Sequence, residues 1–446
     1  MAVRVAADEV PLAFGRLLHG HRIRVGLTQR ELADLSTISV RAIRDLEQGR
    51  ARRPRQDTVR LIANGLRLGR QARVDLELAA DHGRRGGVPR PDYDADLAAP
   101  PVLTESAVVG REPETAVLVG ELVTGHRRLV DLVGLSGVGK TRLALEVARC
   151  LHAKHHVPVL WTSAPGAPVA VESSIRDDGL ATLVRACVCE VFGPAGPDRT
   201  TAVTDLADLV ADRPTLLVID GVATRRPRPE RIGRLLHDCT GLRVLITSAP
   251  PCALPGEWTF LVSPLATAAE DDPNPAAATA TRLFADHARM ATSDPWLTDA
   301  DLLTANDIPA VAEICRRLDG MPAALVAAAS WLSVYDLDRV LDAVRADPAN
   351  LLEHISRVHP MADPRDGITR CLGDLPAADR QVLARLCELG EFTLDDVVRL
   401  TGRSLPESGR TLRGLLEHGV VRAGQVRGRS SFQVLNLVRA MVDRLA

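Results

Sequence analysis

The stretch Gly134-Leu-Ser-Gly-Val-Gly-Lys-Thr141 fits the spacing G-x-x-x-x-G-K-[ST] at every specified position. In that spacing the glycines let backbone N–H groups turn inward around a polyphosphate, while the lysine reaches the β- and γ-phosphates and the hydroxyl is a ligand for Mg²⁺. The nucleotide-binding set on this loop is therefore Gly134, Ser136, Gly137, Val138, Gly139, Lys140, Thr141 and Arg142, with Thr141 also the metal ligand. Lysine usage singles out the same place. Lys140 and Lys154 are the only lysines in a chain that otherwise uses arginine.

Such a loop works only between a strand and a helix, and both are legible on either side of it. Arg128-Leu-Val-Asp-Leu-Val-Gly134 reads as a short buried strand, and Leu143, Leu145, Val147 and Ala148 lie in a helical run that continues to about His152. Further short apolar runs alternate with helical stretches: Val157 to Trp161, Leu216 to Ile219, Val244 to Thr247 and Thr259 to Val262. That alternation predicts a parallel sheet flanked by helices over residues 104–267.

The N-terminal part has a different grammar. Thr28-Gln-Arg-Glu31 is a capping box opening a helix that carries Leu32, Ala33 and Leu35. After the turn Ser36-Thr37-Ile38 a second helix starts at Ser39, with Val40, Ile43 and Leu46 at helical spacing and Gly49 placed to end it. Two short helices joined by a tight turn make helix-turn-helix geometry, here within a helical domain over 1–80. Residues 81–103, rich in glycine and proline, read as a linker. A helical domain is expected over 268–365, and a last domain over 366–446 mixes helices with a β-hairpin around Gly424 to Arg429. No internal repeat is evident.

The bulk numbers set outer bounds. At 446 residues the chain divides into several domains, each able to bury its own core. A net charge of -2 excludes a globally basic nucleic-acid coat, so any DNA contact must come from a local patch. The eight cysteines show no C-x-x-C spacing and read as reduced core thiols. With no secretory pattern and no apolar run of membrane-spanning length, a cytoplasmic protein without a membrane partner is expected.

Leu27-Thr-Gln-Arg-Glu-Leu-Ala33 and Ser39-Val-Arg-Ala-Ile-Arg-Asp-Leu-Glu-Gln-Gly49 resemble the phage-repressor, or Xre-like, helix-turn-helix family, over Phe14 to Leu68. The resemblance implies that the second helix enters the major groove of double-stranded DNA, its leading side chains reading base edges. Those are Ser39, Val40, Arg41 and Arg44, with Arg41 and Arg44 suited to guanine and Val40 to a thymine methyl. Gln29, Arg50, Arg52 and Arg53 would clamp phosphates.

The remainder resembles the NB-ARC type of signal-transducing NTPases, the STAND class, particularly its actinobacterial transcriptional regulators. The motifs run in the family's order: Val109-Gly-Arg-Glu112, the loop at 134–141, Leu216-Leu-Val-Ile-Asp220, Arg243-Val-Leu-Ile-Thr-Ser248, and Cys315-Arg-Arg-Leu-Asp-Gly-Met-Pro322. By that resemblance Val109, Gly110 and Arg111 lie against adenine and ribose, Pro322 packs on the adenine, and Asp220 holds Mg²⁺ through water. It also implies a winged-helix fold for the last domain.

Three positions depart from the family pattern. A second acid is replaced by Gly221, the γ-phosphate-sensing arginine by Ala249, and the Met-His-Asp motif by Val434-Leu435-Asn436. Losing positioned electrostatic groups costs orders of magnitude in phosphoryl transfer, so hydrolysis is expected to be weak or absent and no catalytic residue is named. The overall expectation is a multi-domain protein with an all-α helix-turn-helix head, a P-loop α/β domain with a parallel sheet, a helical domain and a winged-helix domain. It would regulate transcription, bind ATP or ADP with Mg²⁺, and pair as a homo-oligomer on DNA. An active ATPase switch in defence or signalling, and a nucleotide-locked protein scaffold, fit the same motifs.

Overall fold

The structure, a computed structural model, describes residues 18–19, 21–22, 25, 27–47, 56–66, 68, 76, 98–101, 108–165, 167, 175, 178–192, 201–210, 212–222, 228–291, 304, 306–349, 364–426 and 429–445. The chain forms two compact units: Met1–Asp94 with Val203–Ala211, and Ala95–Ala202 with Asp212–Ala446.

In the first unit, helices α1 (Gln29–Ser36), α2 (Val40–Glu47) and α3 (Gln56–Gly65) enclose a core of Leu18, Leu32, Ile43, Leu46, Val59, Ile62 and Leu66. The capping box forms as the sequence predicts. The Thr28 hydroxyl accepts the Glu31 N–H at 3.2 Å and the Glu31 carboxylate accepts the Thr28 N–H at 2.7 Å, satisfying two donors that a helix start otherwise leaves open. Thr37, at φ 56°, turns the chain out of α1, and the Ser39 hydroxyl accepts the Ala42 N–H at 3.2 Å to open α2. Gly49 lies outside the described residues.

The second unit is built on a five-stranded sheet of order β2-β3-β4-β1-β5, every pair parallel. Its strands are β1 (Leu129–Val133), β2 (Val159–Ser163), β3 (Thr215–Val222), β4 (Leu242–Ser248) and β5 (Trp258–Leu261). Helices α4 (Glu112–Thr124), α5 (Lys140–His155), α6 (Asp178–Phe192), α7 (Thr201–Val210) and α8 (Pro229–Asp238) intervene, with α7 grouped from Val203 onward with the first unit. β2 begins two residues later than its apolar run suggests. His156 adopts the left-handed conformation and the Val157 N–H bonds back to Leu151 O at 3.2 Å, so Val157 closes α5 instead of opening the strand.

Two arginines satisfy helix C-termini from the sheet side. Arg128 donates to the carbonyl of Leu236 in the last turn of α8 and to those of Cys239 and Thr240 just beyond it, and Arg243 to those of Leu122 and Val123 at the end of α4. These carbonyls have no partner within their own helices, so each guanidinium fastens a helix to the sheet.

Helices α9 (Thr279–Ala291), α10 (Ile308–Arg317), α11 (Pro322–Ser330) and α12 (Leu337–Ala346) follow the sheet. The last part holds α13 (Pro364–Asp374), α14 (Ala377–Leu386), β6 (Glu391–Phe392), α15 (Leu394–Thr401), α16 (Leu405–Glu417), β7 (Val421–Val426), β8 (Arg429–Val434) and α17 (Asn436–Leu445). Its strands pair antiparallel in the order β6-β8-β7, and β7–β8 is the hairpin expected around Gly424. One apolar core runs from the sheet through α9–α12 into this last part. Among the described residues no helix is long and apolar enough to cross a membrane.

Candidate functional site

The helix-turn-helix pair turns Ile43 and Leu46 inward, which leaves Arg41 and Arg44 on the outer face of α2. Arg41 is 92% exposed and lies 3.9 Å from Asp45, one turn on. Val40 is half-buried against the head core, and the Ser39 hydroxyl is engaged as the cap of α2. Gln29 points elsewhere. Its amide donates to Glu47 Oε2 at 2.7 Å, and the same carboxylate accepts Arg22 Nε at 2.6 Å and Nη2 at 3.0 Å. Arg22 also donates to Leu27 O at 2.8 Å, so this ion pair ties the first helical residues and the start of α1 to the end of α2. Burial works against the charge on Glu47, but its donors outweigh that and hold it below the usual carboxylate range. Arg50, Arg52 and Arg53 lie outside the described residues.

In the second unit the glycine-rich loop stands at the carboxyl end of β1, where open parallel sheets place their ligand crevice. Gly137 and Gly139 hold positive φ of 85° and 100°, which aims successive N–H groups into the loop and opens α5 at Lys140. The Lys140 ammonium donates to Gly134 O at 2.7 Å and Leu135 O at 2.9 Å. Burial pushes it down to about 8, against the pull of Asp220, Asp131 and Cys371. The Thr141 hydroxyl donates to Asp220 Oδ1 at 2.8 Å across 79 residues of sequence, and Thr247 Oγ1 donates to the same oxygen at 2.7 Å. Burial raises the Asp220 carboxyl while these two hydroxyls and Lys140 lower it. A carboxylate and a hydroxyl side by side are the hard oxygen donors that Mg²⁺ takes, so Thr141 and Asp220 fit that ion.

The other nominated positions converge on this loop. Arg111 is buried and donates to Val138 O at 2.9 Å, to Ser263 O at 2.7 Å and to Glu114 at 2.8 Å, while the adjacent Gly110 packs on Thr279 of α9. From the opposite side Pro322 opens α11, and the following Ala323 N–H donates to Gly137 O at 3.1 Å. Arg142 is half-buried on the first turn of α5, its guanidinium lowered by burial and by Arg149.

Several site-forming residues escape a motif reading. Asp131, in the middle of β1, is wholly buried and accepts Ser248 Oγ at 2.7 Å and the Cys252 N–H at 2.9 Å, fixing the turn after β4. Burial raises it to about 7. The available signal was a charged residue in an otherwise apolar strand, since a buried carboxylate needs partners. Two C-terminal glycines also touch the loop. A Cβ on Gly367 would fall 2.1 Å from Ser136 Cβ, and one on Gly419 would fall 2.9 Å from Leu135 N, so α13 and the segment after α16 lie directly on the loop backbone. No local pattern reports such contacts.

The three departures have structural counterparts. Gly221 sits at φ 78° where an added Cβ would meet Ala167 Cβ at 2.9 Å, and its N–H donates to Thr247 Oγ1 at 2.8 Å. Backbone and space both disfavour an acid there. Ala249 is half-buried, and Leu435 is a wholly buried member of the apolar core.

A helix-turn-helix domain family model matches residues 13–76. Among curated proteins, an uncharacterized protein of Mycobacterium tuberculosis (strain ATCC 25618 / H37Rv) is 32% identical over 233 residues, 50% of this chain and 50% of that protein. A counterpart from Mycobacterium bovis (strain ATCC BAA-935 / AF2122/97) matches to the same extent. A second protein of the same M. tuberculosis strain, provisionally named an HTH-type transcriptional regulator, is 32% identical over 207 residues, 46% of this chain and 20% of that protein. The chain thus spans about half the length of the first relatives and about a fifth of the last. The fold is multi-domain, with an N-terminal helix-turn-helix head, a parallel α/β sheet, a further helical region and a small antiparallel sheet.

Proposed function

We propose that this chain is a DNA-binding transcriptional regulator whose head reads double-stranded DNA and whose body binds ATP or ADP with Mg²⁺. The observation that carries the DNA part is the exposure of Arg41 and Arg44 on α2, on a head that matches the helix-turn-helix domain, in a chain related over part of its length to a provisionally named regulator. A guanidinium there has the reach to donate twice to guanine O6 and N7. The nucleotide part rests on the meeting of Lys140, Thr141 and Asp220 at one end of the sheet, with Arg111 and Pro322 flanking the loop. Lys140 would offset the negative charge of bound phosphates, and Thr141 and Asp220 would hold the Mg²⁺ that accompanies them. Gly221, Ala249 and Leu435 stand where the family resemblance expects an acid, an arginine and a histidine, so by this reading the body holds a nucleotide and turns it over weakly or not at all.

By this reading, heads from two copies would pair on half-sites about 34 Å apart, the usual spacing for such modules. Selection from randomised duplexes, followed by anisotropy across a salt series, tests the DNA reading. A preferred site, with affinity falling steeply as salt rises, is expected. Equal binding of all duplexes by wild type and Arg41→Ala would overturn it. Identifying the nucleotide released on denaturing the purified protein, alongside titration with a fluorescent ADP, tests the body. Neither co-purified nucleotide nor binding in titration would defeat that half of the proposal.

A further inference from the structure

Between α10 and α11 the chain turns through Leu318–Met321, and Asp319 occupies this turn at φ 56° with only 2% of its surface exposed. Its carboxylate Oδ2 accepts the Leu437 N–H at 2.9 Å, and the Asn436 N–H bonds to the same group. Both donors belong to the first turn of α17, where N–H groups have no intrahelical acceptor and where a negative charge is favoured. The Asn436 side-chain amide also holds the end of the helix that enters this turn, donating to Arg316 O in the last turn of α10 at 3.1 Å. Along the chain this turn leads directly to Pro322 and Ala323, whose N–H is bonded to Gly137 O of the glycine-rich loop. One short rigid segment therefore touches the proposed phosphate cradle at one end and caps the C-terminal helix at the other.

The stretch Val434-Leu435-Asn436, which runs into α17, stands where the family resemblance puts its Met-His-Asp motif, and here Leu435 is buried in the apolar core. We infer that Asp319 is a positioning residue that couples the glycine-rich loop to the C-terminal α17, so that nucleotide binding is reported through this cap instead of through a side chain on the phosphate. This rests on the nucleotide-binding reading of the body.

The backbone conformation offers a clean test. At φ 56° glycine is more comfortable than aspartate, so Asp319→Gly deletes the carboxylate while preserving the turn, and Asp319→Asn keeps an acceptor oxygen in a residue that tolerates the same conformation. Hydrogen exchange is followed over 436–445 in the full chain, with and without Mg-ADP, and release of a fluorescent ADP is timed in parallel. In wild type, Mg-ADP is expected to slow exchange in this helix. In Asp319→Gly, basal exchange there should rise about tenfold, the response to Mg-ADP should vanish, and ADP release should quicken, with Asp319→Asn recovering most of each. If Asp319→Gly binds ADP and protects α17 on binding as wild type does, the coupling role is wrong. If wild-type protein binds no ADP, the nucleotide reading falls and takes the coupling with it, a result distinguishable by the missing fluorescence change.

Discussion

The head and the region around the glycine-rich loop use polar side chains in opposite ways. In the head, Glu47 gathers Arg22 and Gln29 into a fixed internal frame, and Arg41 is projected outward from it. In the loop region the groups with the most chemical potential are already engaged: Lys140 with two carbonyls, Thr141 with Asp220, Asp131 with Ser248 and Cys252. A surface reader needs rigidity behind it and unoccupied donors in front. A phosphate cradle needs donors that can exchange internal partners for a ligand, and the surrounding contacts decide how costly that exchange is.

The contrast can be broken most forcefully at Glu47. Its pair with Arg22 is nearly sealed, the side chains being 4% and 8% exposed, so Glu47→Ala strands a buried guanidinium and should cost the head about 3–5 kcal/mol. Calorimetry of the full chain should show one transition falling while the other stays; a joint fall would mean the two units do not melt independently. Next in size is Arg41→Ala, expected to weaken binding to the selected duplex about ten- to a hundredfold, roughly 1–3 kcal/mol, with stability unchanged because its Asp45 partner is a long, exposed contact. Anisotropy and a melting curve on the same sample decide this. Restoring an acid by Gly221→Asp should cost about 1–3 kcal/mol for the positive φ and the Ala167 contact, and should yield no brisk turnover. A phosphate-release assay showing rapid hydrolysis would move the body to the active-switch class.

The smallest expected effect concerns pH, and its sign differs between the two regions. Glu47 lies below the usual carboxylate range, so its contribution is present above about pH 4.3 and is lost as pH falls through its lowered value. Asp131, at about 7, and Asp319, at about 6, are raised, chiefly by burial; Glu257 adds to the rise at Asp131, and Arg422 and Arg439 oppose it at Asp319. A raised carboxyl binds its proton more tightly when folded, so these two make the body more stable as pH falls from about 7 toward 4. Between about pH 7.5 and about pH 4.5 the gap between the two melting transitions should therefore change in the body's favour, and Asp131→Asn should reduce that change.

Much of this is legible in the sequence. The capping box at Thr28 and Glu31, the hairpin around Gly424 and the five strands of the sheet are local patterns, and local patterns survive folding because neighbours in sequence are neighbours in space. The bound of β2 was not legible, because the apolar Val157 serves equally well as the hydrophobic close of α5. Arg111, Asp220 and the turn at Pro322 do meet the loop at 134–142, but the tasks visible there are partly different from those a motif suggests. Arg111 braces Val138 and Ser263, and in the head Gln29 braces Glu47.

What the sequence determined by itself is the chemistry on offer: one lysine and one threonine behind a glycine-rich turn, and arginines on a short capped helix. Those follow from residue type and near spacing alone. Only the tertiary structure decided which groups are engaged and by whom. The Asp220–Thr141 bond spans 79 residues and the Asp319–Leu437 bond 118. Gly367 and Gly419 meet the loop from far down the chain. Such contacts are set by how the layers pack, where a buried carboxylate must find donors wherever the fold brings them, and spacing along the chain carries no record of that distance in space.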